Sequence, residues 1–184
     1  RCTPPGTYWI YDQSIGYLAG WGAHPLDIMV WGCDADLSGT IVIEGTGVVP
    51  AEGLYDTVYD WNVKGKLGEV DFIFRPGLDR TRFIGEHGWI EVSRALVRNL
   101  SSDPSLLKAN PKPDEDRLMR VADGHLANFI EAVGKNDPKA AVASVRDAVR
   151  SDVISHLCDI AIRTGEKISW DPKDRKLLSG SAAA

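Results

Sequence analysis

The stretch TVYDWNVKGKLGEVDFIFRP, residues 57–76, holds two runs rich in β-branched and aromatic residues, parted only by Gly68 and Glu69. In the first run Val58, Asp60, Asn62 and Lys64 alternate with Tyr59, Trp61 and Val63. That period of two predicts a strand with one covered and one more polar face. Similar runs flank it: TIVIEGTGVV (40–49) before, TRFIGE (81–86) and GWIEVSR (88–94) after, each bounded by Gly, Pro or Asp turns. No helical stretch separates these runs, so five strands packed into 40–94 must pair mainly antiparallel.

Outward from this centre the periodicity changes. Residues 1–15 are aromatic and turn-rich and predict an irregular entry with room for one short strand. Residues 20–32, GWGAHPLDIMVWG, predict a helix with Pro25 in its first turn, where a missing N–H is harmless, and Gly32 at its close. A polar, proline-rich connection (101–116) leads to two helices. The first, 116–134, carries Leu118, Val121, Leu126, Phe129, Ile130 and Val133 at helical spacing and stops at Gly134. The second, 139–164, carries Val142, Val145, Val149, Val153, Leu157, Ile160 and Ala161 and stops at Gly165. KISWDP (167–172) predicts one short strand, and 173–184 a frayed tail. The expected fold is α+β: one domain over 1–184 with an open-faced mixed, mainly antiparallel sheet and helices packed on one face.

The bulk properties exclude several functions. A chain of 184 residues with net charge −5 and scattered Lys and Arg offers no nucleic-acid surface. No run of 18 apolar residues spans a membrane, and no charged start precedes an apolar stretch. Cys2, Cys33 and Cys158 are too few and too irregularly spaced for a zinc site or a disulfide framework, so no metal is expected and free thiols are. Gly45-Thr46-Gly47 lies inside a strand pattern with no helix after it, so it is not a dinucleotide fingerprint. P-loop, H-E-x-x-H and G-x-S-x-G motifs are absent.

Within the 20–32 helix, Gly20, His24, Asp27 and Trp31 recur at i, i+4, i+7 and i+11, on or leading into one face. His24 falls in the first turn, where the positive end of the helix dipole disfavours imidazolium and leaves a ring able to accept an alcohol proton. The alternative is a capping or core histidine hydrogen-bonded to Asp27 or to backbone. His125 and His156 are expected to be packing histidines, and His87 an exposed turn residue. Tyr8, Trp9 and Tyr11 either line a sugar-stacking pocket or cover the helix behind them.

GWGAHPLDIMVWG (20–32) resembles the C-terminal domain of the Gfo/Idh/MocA oxidoreductases, and four further segments continue the likeness in order. These are EGTGVVPAEGLYDTVYDWNV (44–63), RFIGEHGWIEVSR (82–94), GHLANFIEAV (124–133) and SHLCDIAIRTGEKISWDP (155–172). The resemblance implies a Rossmann domain ahead of Arg1 that binds NAD or NADP and carries the lysine of the E-K-P motif. It also implies a substrate cleft floored by the 20–32 helix. In the family a D-x-x-x-H pair flanks the substrate hydroxyl. His24 matches the histidine, whereas the aspartate falls on Gly20, which has no side chain. Either His24 acts without the aspartate, or Asp12 or Asp27 substitutes in space, or the substrate or reaction differs from simple dehydrogenation; Asp27 could also orient His24 or cap the helix.

The resulting expectation is the substrate and oligomerisation domain of an NAD(P)-dependent oxidoreductase acting on a hydroxyl of a sugar, cyclitol or similar polyol. His24 is the expected catalytic residue; Tyr11, Asp12, Gly20, Trp21 and Asp27 are the expected substrate contacts. Such a domain forms a homo-oligomer through its exposed sheet face and is inactive without the cofactor half. Its default compartment is the cytoplasm, with an export signal ahead of Arg1 left open. The rival expectations are a catalytically silent binding or assembly module of the same fold and, more weakly, an NAD-dependent redox glycosidase.

Overall fold

The computed structural model describes residues 6–33, 39–94, 99–108 and 124–181. A 3-10 turn over Gly6–Trp9 stands where the entry left room for a strand. Two helical pieces follow, α1 (Tyr17–Gly20) and α2 (Ala23–Gly32). Their separation has a local cause: Pro25 has no N–H for the Trp21 carbonyl, and its ring crowds that oxygen. The His24 N–H takes the Trp21 carbonyl instead, at 3.2 Å. Pro25 therefore lies in the first turn of α2, as expected, but the helix begins at Ala23.

Strands β1 (Ile41–Val48), β2 (Asp60–Leu67), β3 (Val70–Phe74), β4 (Arg80–Gly85) and β5 (Gly88–Ser93) coincide with the five runs read from the sequence. β6 (Leu100–Ser101) extends the last hairpin. Helices α3 (Gly124–Lys135) and α4 (Val145–Thr164) precede β7 (Ile168–Asp171) and β8 (Lys176–Ser179). Every described strand pair is antiparallel.

Two expectations are corrected. The strands form two sheets, in the orders β3-β2-β1-β7-β8 and β4-β5-β6, instead of one. Pro76 lacks a ladder donor and Gly77 follows it, so the chain leaves the first sheet after β3. The second hairpin leans on α2 instead, with the Thr81 hydroxyl donating to the Pro25 carbonyl at 3.3 Å. The supposed tail also holds β8. The Asp171 carboxylate accepts the backbone N–H groups of Lys173 and Asp174, which turns the chain back along β7.

α4 is the backbone of the core. The Ser144 hydroxyl caps it by accepting the Asp147 N–H at 3.1 Å, and Gly165, at φ 68°, ends it. It thus starts later than residue 139, and Pro138–Ala140 forms a separate 3-10 turn. Its Ile154, Leu157, Cys158 and Ala161 pack on Ile41, Ile43, Val63 and Leu67 of the large sheet, with Leu26 and Met29 of α2 beside them. A β-carbon at Gly47 would meet the Ile162 side chain at 2.8 Å, so glycine there lets α4 lie close to β1. Along β2 the inward side chains are Trp61, Val63 and Leu67, while Asp60, Asn62, Lys64 and Lys66 face out. Val58 is buried and Tyr59 exposed, the reverse of the simple alternation, because the strand begins only at Asp60.

α3 departs furthest from expectation. Leu126, Phe129, Ile130 and Val133 form its apolar stripe as the spacing predicts, yet all four are more than 60% exposed. Leu118 and Val121 lie outside the described residues. Asn128 ties α3 to the following turn, donating to the Ala140 carbonyl and accepting the Val142 N–H.

Candidate active site

His24 occupies the first turn of α2, half-buried, and meets the indole of Trp21 edge-on with ring centroids 5.5 Å apart. Among the described residues no group hydrogen-bonds its imidazole. Trp21 is 52% exposed, and the guanidinium of Arg94 lies 5.5 Å from its ring centroid. Arg94 is held loosely by Asp79, at 3.9 Å. The kink imposed by Pro25 thus presents an aromatic platform with an imidazole at one edge and a cation nearby. A rigid apolar ring flanked by polar groups suits the ribbon of C–H and O–H groups of a polyol.

Gly20 is glycine because Tyr8 takes its space. A β-carbon at position 20 would overlap the Tyr8 hydroxyl and come within 2.5 Å of two ring carbons. Tyr8 itself is wedged edge-on between Trp9, at 5.3 Å, and Tyr17, at 5.4 Å. Of the two readings of the entry aromatics, Tyr8 and Trp9 cover α1. Burial, with Tyr17 alongside, raises the Tyr8 phenol above its usual value, against the opposing Trp21 backbone N–H.

The remaining candidates separate. Asp27 accepts a 2.6 Å hydrogen bond from Ser151 of α4, so its carboxylate ties two helices together instead of orienting His24 or capping α2. Tyr11 lies under the Arg163 guanidinium, 3.7 Å from its ring centroid, beside the buried Asp159 that Arg163 pairs at 3.0 Å. Burial and the neighbouring Asp159 raise the Tyr11 hydroxyl, outweighing Arg163. Asp159 is eight residues beyond Ser151 on α4, about 12 Å along the axis, so Tyr11 and Asp27 dock at different levels of that helix. Asp12 is exposed in the turn after Tyr11.

His125 and His156 are not packing residues. His125 is exposed, and His156 is a surface residue with Asp152 at 3.4 Å. His87 is exposed in its turn, as expected. Cys158 is a free, buried thiol pushed up by that burial, and Cys33 is free and half-buried; Cys2 lies outside the described residues. Among the described residues no cluster of His, Cys, Asp and Glu could hold a metal, and no helix is long and apolar enough to cross a membrane. A shallow depression of about 350 Å³ on the large sheet, lined by Glu44, Thr46, Asn62, Lys64 and Lys167 among others, contains none of the candidate residues. It is an open sheet surface without a converging reactive group.

Sequence reasoning did not single out Tyr8 alone, Ser151 or Arg94. Ser151 and Arg94 carried no signal, being one serine in a helix and the last residue of a strand segment. The glycine at position 20 was the available clue to Tyr8, because an empty position implies that something else fills it.

No family model matches this chain, and no curated protein matches it. Among solved structures it is similar to the aldose-aldose oxidoreductase from Caulobacter crescentus complexed with glycerol, with a TM-score of 0.52 and 12% identity. The match covers 79% of this chain and 45% of that one, so the chain spans less than half of its neighbour. At that identity the likeness carries the fold: α+β, with antiparallel sheets and helices packed on one face.

Proposed function

We propose that this chain is the substrate-binding and oligomerisation domain of an NAD(P)-dependent oxidoreductase that acts on a hydroxyl of a sugar, cyclitol or related polyol. The observation that carries the reading is the His24 imidazole, half-buried, free of described hydrogen-bond partners and set at the edge of the exposed Trp21 ring. The ordered resemblance to the Gfo/Idh/MocA C-terminal domain supports it, as does the fold likeness to a protein named as a sugar oxidoreductase.

The described residues offer no pyrophosphate cradle, because Gly45-Thr46-Gly47 is inside β1 and paired with β2. The dinucleotide is therefore assigned to a domain outside these residues, where a bound nicotinamide would supply the hydride acceptor. This chain's part is binding and proton transfer. The substrate stacks on Trp21, and its reacting hydroxyl gives its proton to a ring nitrogen of His24. The outward face of β1 to β3, with Glu44, Asn62, Lys64 and the exposed Ile73, is the surface assigned to a second copy.

In the full-length protein, reduction of NAD+ or NADP+ is measured with glycerol, D-glucose and myo-inositol. Turnover with at least one of them, reduced about 100-fold in His24→Ala, is expected. The competing reading, a silent binding module, is favoured by glycine standing at position 20 in place of an aspartate. It requires no turnover with any of the three and unchanged ligand binding in His24→Ala.

A further inference from the structure

Position 20 is one turn ahead of His24, and its side-chain space is filled from outside the helix by the Tyr8 hydroxyl. We propose, on the reading of His24 as proton acceptor, that the Tyr8 hydroxyl is a substrate-positioning group that supplies the hydrogen bond Gly20 cannot.

Three observations converge on it. The hydroxyl and the ring edge, not a distant part of Tyr8, occupy the space of a β-carbon at position 20. Gly20 is exposed, so a polar group at that point borders the open side of the helix. Tyr8 is held by Trp9 and Tyr17 in edge-on contacts, which fixes the hydroxyl without any bond to substrate. Trp21 follows Gly20 directly and its ring continues to His24, so the Tyr8 hydroxyl and the imidazole flank one residue. A phenol carries one O–H proton to donate. A phenol is protonated near neutral pH, and burial with Tyr17 alongside raises this one further. It therefore donates to the substrate oxygen while His24 accepts that oxygen's proton.

The test compares Tyr8→Phe, Tyr8→Ala, Gly20→Asp and the double variant Tyr8→Ala/Gly20→Asp. Tyr8→Phe keeps the ring and removes only the hydroxyl. It is expected to lower kcat of the full-length protein about 10-fold, the equivalent of one hydrogen bond, and to weaken glycerol binding to this chain by NMR without changing Tm. Gly20→Asp alone is expected to lower Tm, because its β-carbon meets Tyr8. The double variant is expected to recover Tm relative to Gly20→Asp and activity relative to Tyr8→Ala. Wild-type kcat and glycerol affinity in Tyr8→Phe, with no rescue by the double variant, overturn the proposal. If His24→Ala is inactive in that case, only the role of Tyr8 falls. If His24→Ala is also fully active, the reading of the site falls with it.

Discussion

The Ser151 hydroxyl of α4 donates a 2.6 Å hydrogen bond to the Asp27 carboxylate of α2, joining residues 124 positions apart. The helix that carries His24 is thereby pinned to the longest helix of the core, through a residue the sequence pattern assigned to the site itself. Ser151→Ala is expected to lower stability by about 1 kcal/mol, at the modest end for a bond to a charged group because Asp27 is exposed. Urea unfolding checks the loss. Asp27→Ala should add little when combined with Ser151→Ala, since both remove one bond. Asp27→Asn should leave the pH dependence of kcat unchanged; a shift of that profile would return Asp27 to a role beside His24.

Glu91 is buried in the second sheet and receives hydrogen bonds from Arg80, at 2.9 Å, and Arg82, at 3.0 Å. Burial pushes its carboxyl up, but the bonds and charges of the two arginines together hold it below its ordinary value of 4.5. A carboxylate depressed in the folded state stabilises the fold above its unfolded value. That stabilisation is lost as pH falls through the lower folded value. Acid unfolding of the wild type should therefore steepen below pH 4.5. Glu91→Gln should lower Tm at pH 7 and flatten the acid limb. An identical acid limb in the variant would remove Glu91 from the account.

Gly165 ends α4 at φ 68°, and nothing lies within 4 Å of a β-carbon built there. Gly165→Ala should cost about 1 kcal/mol from backbone strain alone. Thermal unfolding reads this, and a neutral effect would mean that the helix ends in another conformation.

Strands β1 to β5 and β7 and the body and end of α4 were legible because their signals are local, whereas β6 and β8 were not read. Alternation at Trp61 and Val63, a glycine at Gly165 and a proline at Pro25 each act within a few residues. The division into two sheets was not legible, since it depends on where the hairpin after Pro76 docks. The α3 stripe shows the same limit: periodicity at Leu126, Phe129, Ile130 and Val133 predicts a helix and its apolar side, but not what meets that side. At the site, His24 and Trp21 were legible as neighbours four positions or fewer apart. The Tyr8 contact to Gly20 and the Ser151 bond to Asp27 depend on tertiary docking, which spacing does not encode.

Phe129 is 61% exposed on α3, so its burial contributes little to the fold seen here. Phe129→Glu should change Tm of this chain by no more than about 0.5 kcal/mol equivalent, as for an ordinary surface substitution. Differential scanning calorimetry checks it, and a large loss would mean that the α3 stripe is covered in solution.

The central claim is that polyols bind at the Trp21–His24 edge of α2. Glycerol titrated into isotopically labelled chain, followed by NMR, tests it most directly. The account predicts saturable shifts of the Trp21 indole N–H and the His24 ring protons, lost in Trp21→Ala. Shifts confined to Glu44, Lys64 and Lys167 on the large sheet, with Trp21 and His24 unmoved, would contradict it.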